Sequence, residues 1–407
     1  MARPRNGSGA LIRELNRSAI LAFIWQRGPI ARVKIAKALV LSPATVTVLT
    51  RDLVQEGLVR EVAQAPSTGG RPGILLGLVA EVAHALGVKI SSHRLTAVRV
   101  SLDGEPIQFA DRPFDASAPD AVDRLVDELA LLANSGGRQS RLLGIGLGVP
   151  GTVDPRHGGT VESPILGWRA LPLAARVQDQ LQLPVMVDND VNTLAVSERL
   201  YGRGRAAENS ITVTIGLGVG LGIIIGGELY RGALGGAGEF GHVRVLENGP
   251  SCYCGGRGCL ETLVSDAAVT AAGHEIGILD EGDGVDRLRE LADGGSREAR
   301  EIYARAGRTL GRAVAGLVNV LSPQLVLVSG EGTQAWPHLE AAFEEAFRAD
   351  LFPPLAGVTV EVDPWDDAKW ARGAAALVLR ATFSPPLYAH QPDDAVRARL
   401  TTVDGAA

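Results

Sequence analysis

The sequence has little cysteine, no membrane-length apolar segment and no repeat. Its three Cys, in 407 residues, are not spread as a disulfide framework would be. Cys252, Cys254 and Cys259 share one short window, which in a reducing compartment points to a metal rather than to disulfides. The opening ten residues are polar and Gly-rich, unlike a secretory signal, so a cytoplasmic protein is expected. The longest apolar run, 211–227, contains six Gly and reads as strand–turn–strand rather than a bilayer helix. No membrane contact is expected, and neither a heptad nor a solenoid period is visible.

The length and an ordinary globular composition suggest roughly two or three domains. Charge is unevenly distributed along the chain. Residues 1–78 hold eleven Lys/Arg against four Asp/Glu, a net +7, so the remainder of a chain of net charge −6 carries −13. A basic front end on an acidic body suits a nucleic-acid-binding module joined to something else.

Helical spacing of Ile20, Leu21 and Ile24 predicts a helix over Arg17–Gln26, stopped by Gly28-Pro29. A second, about Ala31–Leu39, carries Val33, Ile35, Ala36 and Leu39. Ser42 is a good N-cap and Pro43 a good first residue for a third, reaching about Glu56 with Val46, Leu49 and Leu53 inward. Leu58–Val62 and Ile74–Leu78 read as strands flanking a polar loop. This order is that of a winged helix-turn-helix, whose reading helix enters the major groove. Ser42, Ala44, Thr45 and Thr47 would then face DNA, and Arg71 in the loop would reach a minor groove. Val48 stands where a longer polar side chain would read bases better. Winged domains also serve as protein-interaction modules; the charge excess favours operator DNA as partner.

Beyond residue 80, strands (Leu142–Val149, Pro184–Val187, Leu325–Val328) alternate with helices (Pro119–Ala133, Arg300–Leu321, one beginning at Gly373–Arg380). Leu86–Leu102 alternates in part, and Asp103-Gly104 is a hairpin signal. This predicts an α/β body of two lobes. The tail from about Ser384, rich in Pro and charge, is expected to be loose. Zinc prefers four ligands, and His242, ten residues before Cys252, is the expected fourth beside Cys252, Cys254 and Cys259.

The segment Gly235-Gly-Ala-Gly-Glu-Phe-Gly-His-Val, followed by Cys252-Tyr-Cys-Gly-Gly-Arg-Gly-Cys-Leu-Glu261, resembles the signature of the ROK family (repressors, open reading frames and sugar kinases). Gly148-Val-Pro-Gly151, Asp188-Asn-Asp-Val-Asn192, Leu310–Gly330 and Gly373-Ala-Ala extend the likeness, and repressors of the family carry a winged helix as well. The resemblance implies an N-terminal winged helix-turn-helix (1–80) followed by a two-lobed actin-like, hexokinase-like (ribonuclease H-like) fold. The first lobe would be 84–195 completed by a helix near 371–382, the second, with the zinc, 196–370, and the tail 384–407. It implies that Gly151, Asn189, Glu239, His242 and Glu261 contact a sugar. Asp190 would be the kinases' catalytic-base position, and zinc would hold His242 in place.

The kinases' Asp-x-Gly-Gly-Thr-Lys turn corresponds here to Lys89-Ile-Ser-Ser-His-Arg94, with Lys89, Ser91, Ser92 and His93 at the Asp, Gly, Gly and Thr positions. The second phosphate loop, Gly-Thr-Gly, is Gly216-Leu217-Gly218. A missing carboxylate and added Cβ atoms weaken metal and phosphate contacts, so no ATP is expected. The resulting expectation is a repressor that senses a sugar or sugar phosphate, as a homodimer or homotetramer. The enzyme alternative is an ATP-dependent hexose kinase retaining a DNA-binding domain. A scaffold that docks a transport protein through its zinc-bearing lobe is a third.

Overall fold

The structure, a computed structural model, describes residues 8–64, 73–135, 140–154, 159–384 and 392–401. Arg71 lies outside them. The chain forms two compact units, Met1–Thr193 with Ala368–Ala407, and Leu194–Asp367.

The first unit opens with α1 (Gly9–Arg27), β1 (Ile30–Ala31), α2 (Arg32–Ala38), α3 (Pro43–Gln55), β2 (Val59–Gln64) and β3 (Ile74–Leu78). The core is the expected one: Ile20, Leu21, Ile24, Ile35, Val46, Leu49 and Leu53 are buried. Val33 differs, at 79% exposed. Helix α1 begins eight residues earlier than its apolar spacing indicates, because Ser8 caps it by accepting the Leu11 N–H at 3.2 Å. Arg13 on that extension and Arg17 pair with Asp52 of α3 and with Glu56, its C-cap. The wing sheet has a third strand, in order β1-β3-β2; β1 is two residues long and has no period to read.

The same unit continues with β4 (Ala83–Ile90), β5 (Arg94–Ser101), β6 (Pro106–Pro113), α4 (Ala121–Asn134), β7 (Arg141–Val149), β8 (Thr152–Asp154), β9 (Thr160–Ser163), β10 (Trp168–Pro172), α5 (Leu173–Leu181), β11 (Val185–Asn189) and the start of α6 (Asp190–Tyr201). Its main sheet has order β11-β7-β4-β5-β6. Strand β4 pairs antiparallel with β5 and parallel with β7. The second unit holds β12 (Ser210–Ile215), β13 (Val219–Ile225), β14 (Glu228–Leu229), α7 (Glu261–Val264), α8 (Asp266–Glu275), α9 (Val285–Asp293), α10 (Arg297–Leu321), β15 (Leu325–Ser329), α11 (Trp336–Asp350) and β16 (Thr359–Val362). Its sheet order is β14-β13-β12-β15-β16, with β12–β15 and β15–β16 parallel. Numbered within each sheet, both read 3-2-1-4-5, a duplication that the sequence does not display.

Helix α12 (Asp367–Phe383) returns the chain to the first unit. It lies directly on β4 and β7, because a Cβ at Gly87 or Gly146 would stand 2.0 Å from Ala371 O or 1.8 Å from Ala374 O. Its end, Phe383, stacks on Trp25 of α1 with ring centres 4.6 Å apart. The expectation of a loose tail needs correction over Pro392–Thr401, which is a helix, α13; residues 385–391 and 402–407 lie outside the described residues. Val396 and Leu400 are buried, Arg399 donates to Leu142 O at 2.9 Å, and Arg141 donates to Arg399 O at 2.7 Å. Two apolar residues one turn apart suffice to dock a short polar helix.

Arg99, 4% exposed, donates to Leu132 O and Ala133 O in the last turn of α4 and contacts His84. A cation at a helix C-terminus offsets the macrodipole there. Burial first, and Arg99 second, lower the His84 pKa to about 4. Among the described residues no helix is long and apolar enough to cross a membrane.

Candidate functional site

On α3, Ser42 accepts the Thr45 N–H at 3.0 Å and shares a hydroxyl hydrogen bond with Thr45 at 2.8 Å. Thr47 donates to Pro43 O at 2.7 Å. The hydroxyls expected at the DNA face are thus partly used in capping their own helix, though Ser42, Ala44 and Thr47 are exposed. Arg51, one turn beyond Thr47, and Lys34 and Lys37 of α2 are exposed cations that no sequence motif marks. Not all of the basic excess is available, since Arg13, Arg17, Arg32 and Arg60 are engaged in ion pairs.

In the first unit, β7 and β11 run parallel with Asn189 beside Val149, so Gly151 and Asn189 lie just beyond and at the C-terminal ends of neighbouring strands. Open α/β sheets place ligands at such ends. Asn189 Nδ2 donates to Gly151 O at 2.8 Å, and its Oδ1 accepts the N–H groups of Val191 and Asn192 at 2.9 and 3.2 Å. Asp190 opens α6 and accepts the Val191 N–H at 3.0 Å, so its carboxylate stands at a helix N-terminus. Gly151 has φ +107°, and a Cβ there would lie 2.3 Å from Glu162 O. Its glycine is therefore demanded by β9, whatever it contributes to a ligand.

In the second unit, ligand atoms of His242, Cys252, Cys254 and Cys259 all lie within 4.8 Å of one another. Cys252 Sγ is 3.5 Å from His242 Nδ1, and Cys254 Sγ 3.7 Å from Cys259 Sγ. A zinc tetrahedron with bonds of about 2.3 Å to sulfur and 2.05 Å to nitrogen has edges of about 3.8 Å (S–S) and 3.6 Å (S–N). The four side chains fit that ion. With Nδ1 turned to the thiols, His242 Nε2 faces the Tyr253 hydroxyl at 3.1 Å and Glu239 Oε2 at 3.8 Å. Tyr253, between Cys252 and Cys254, carries no motif signal of its own for this contact. Desolvation and then the carboxylates of Glu261 and Glu239 push its pKa up. Glu261 accepts the Val219 N–H at 3.4 Å, and burial raises its pKa, with His242 opposing.

At the segment matched to the kinases' phosphate turn, Lys89 is buried with its Nζ 4.1 Å from the Trp370 ring centre. Ser91 N–H closes a tight turn on Arg94 O at 2.9 Å, His93 is exposed, and Leu217 is 73% exposed.

The ROK family model matches residues 85–381, about three-quarters of the chain. The chain belongs to the ROK family. The MarR family model matches residues 14–63, the helix-turn-helix. The DNA-binding transcriptional dual regulator NagC of Escherichia coli is 31% identical over 393 residues, 94% of this chain and 97% of that protein. The xylose repressor of Caldicellulosiruptor bescii is 30% identical over 398 residues, 94% of this chain and 100% of that protein. Among solved structures, a ROK family transcriptional regulator, a homolog of the E. coli MLC protein, aligns with TM-score 0.81 and 25% identity over 96% of this chain and 99% of its own. A ROK family glucokinase from Streptomyces griseus, in complex with glucose and AMPPNP, aligns with TM-score 0.63 and 27% identity over 72% of this chain and 99% of its own. The regulators match nearly end to end, the kinase over a smaller share. The chain is a DNA-binding transcriptional regulator of the family.

Proposed function

We propose that this regulator is a repressor whose hold on operator DNA is set by a sugar bound in its ROK portion, without phosphorylation of that sugar. What supports the reading is a sugar-type cluster together with a segment, 89–94, whose residues differ from the phosphate turn that the family resemblance sets against it. His242, set by the thiol cluster, turns its free nitrogen to Glu239 and Tyr253, whereas Lys89 stands buried against Trp370 at the position of the kinases' Asp. Phosphoryl transfer needs positioned metal and phosphate contacts, and a buried Lys on an aromatic ring offers no carboxylate to Mg²⁺.

In this reading residues 1–80 read DNA through Ser42, Ala44, Thr45, Thr47 and Arg71, with Lys34, Lys37 and Arg51 supplying phosphate contacts. Residues 84–195 with the helix near 371–382, and 196–370, are the two lobes. Gly151, Asn189, Asp190, Glu239, His242 and Glu261 contact the sugar, since a polyol needs paired donors and acceptors. Zinc, held by His242 Nδ1 and the three thiolates, would supply structural rigidity and fix the imidazole. Relatives named as an N-acetylglucosamine repressor and a xylose repressor support an effector among sugars of that kind. A homodimer or homotetramer supplies the paired reading heads that operators need.

A thermal-shift screen of sugars and sugar phosphates on the zinc-loaded protein tests the sensor, because a ligand of the native state raises its melting temperature. A coupled assay with ATP, Mg²⁺ and the same sugars should show no turnover. Rates in the common enzyme range of roughly 1–1000 per second would establish the kinase alternative instead.

A further inference from the structure

We infer that the turn Gly216–Leu217–Gly218 repels phosphate, so that the effector is an unphosphorylated sugar and Glu331 is a residue that enforces the choice. This rests on the sugar-sensor reading above.

Carboxylates flank the turn on both sides. A Cβ at Gly216 would stand 2.5 Å from Glu331 Oε2, and one at Gly218 2.8 Å from Glu261 Oε2. Asp266, at the start of α8, donates its own N–H to Gly216 O at 2.8 Å, which brings a third carboxylate to the turn. Burial first, and Glu331 second, raise the pKa of Asp266 to about 6, so Glu331 imposes a negative potential there. Arg289, the cation that opposes this shift, is already paired with Asp286 at 2.8 Å.

Two of the backbone N–H groups at the turn are occupied as well. Glycine turns grip phosphate through free N–H groups. Here Gly216 N–H donates to Gly218 O at 3.1 Å, and Val219 N–H faces Glu261 Oε2 at 3.4 Å. A neutral sugar carries no charge for these carboxylates to repel. A phosphate brought to the same turn meets charge of its own sign in a partly desolvated place, where such contacts change affinity by tenfold or more.

Calorimetric titration of the zinc-loaded full chain tests this with N-acetylglucosamine and glucose, with the 6-phosphate of each, and with xylose and pyrophosphate. At least one neutral sugar should bind, its 6-phosphate about tenfold or more weaker, and pyrophosphate should not compete with it. In Glu331→Gln the neutral sugar should bind within about twofold of wild type, while the handicap of the phosphate shrinks about threefold or more. Thermal melting confirms that the variant is folded. Equal or tighter binding of the phosphate in the wild type, competition by pyrophosphate, or an unchanged handicap in Glu331→Gln overturns the inference and leaves the sensor reading standing. Failure of every neutral and phosphorylated sugar to bind overturns the sensor reading itself.

Discussion

Removing one thiolate, Cys254→Ser, should release the metal and disorder the segment from His242 to Cys259 while leaving the rest of the second unit folded. That segment contains no strand or helix of its own beyond the short turn at Phe240–His242, only the isolated bridges Arg244–Cys259 and Ser251–Arg257. Val243, Val245, Leu246 and Tyr253 are exposed, so apolar burial contributes little. Ordering the sixteen intervening residues costs on the order of 1 kcal/mol each in backbone entropy, or about 16 kcal/mol. A structural zinc site returns about 10–16 kcal/mol net of such ordering, so in the reading proposed above the loop holds its shape only with the metal. The large core around Val213, Leu310, Val314, Phe343 and Phe347 does not involve this loop. Metal analysis should give one zinc per wild-type chain and well under one for Cys254→Ser. Hydrogen exchange should quicken over 243–258 and remain slow in β12 and α10, and sugar binding should be lost. A variant that keeps its zinc, its exchange protection and its sugar would show the ligand assignment to be wrong.

Two further outcomes follow from the first unit. His84 is neutral when folded, with its pKa lowered from 6.5 to about 4, so the unfolded chain takes up its proton first as pH falls. Its contribution is intact above about pH 6.5 and is lost progressively toward pH 4, amounting to on the order of 3 kcal/mol; His84→Gln should flatten that limb of the stability–pH curve, and an unchanged limb would contradict the assignment. Trp25→Ala and Phe383→Ala should show a double-mutant coupling of about 0.5–1.5 kcal/mol, as expected for a ring stack, whereas simple additivity would mean that α1 and α12 are not joined there.

The local patterns were legible where periodicity or punctuation was strong. Ser42-Pro43 announced α3, and Ile20, Leu21 and Ile24 gave the core face of α1. The thiol window with His242 came together as the spacing suggested. What escaped the sequence depends on partners far along the chain. The Arg13 and Arg17 pairs that occupy part of the basic excess, the Lys89–Trp370 contact, and the docking of α13 through Val396 and Leu400 all join residues with no local signature. Tyr253 illustrates a different limit: its contact with His242 is set by which ring nitrogen turns outward, and spacing does not encode a ring orientation.

The central claim is that a sugar in the ROK portion controls the grip of the winged domain on DNA. A ligand does so only by binding two states unequally, with a coupling on the order of 1–3 kcal/mol. The most direct measurement is the affinity for an operator fragment selected by the purified protein, at fixed salt, with and without the sugar found by screening, in wild type and in Glu239→Ala. The wild-type affinity should change by roughly 5–150-fold on adding sugar. The variant should bind the fragment as the wild type does without sugar and ignore the sugar. A Glu239→Ala protein that responds to sugar like the wild type would contradict the account.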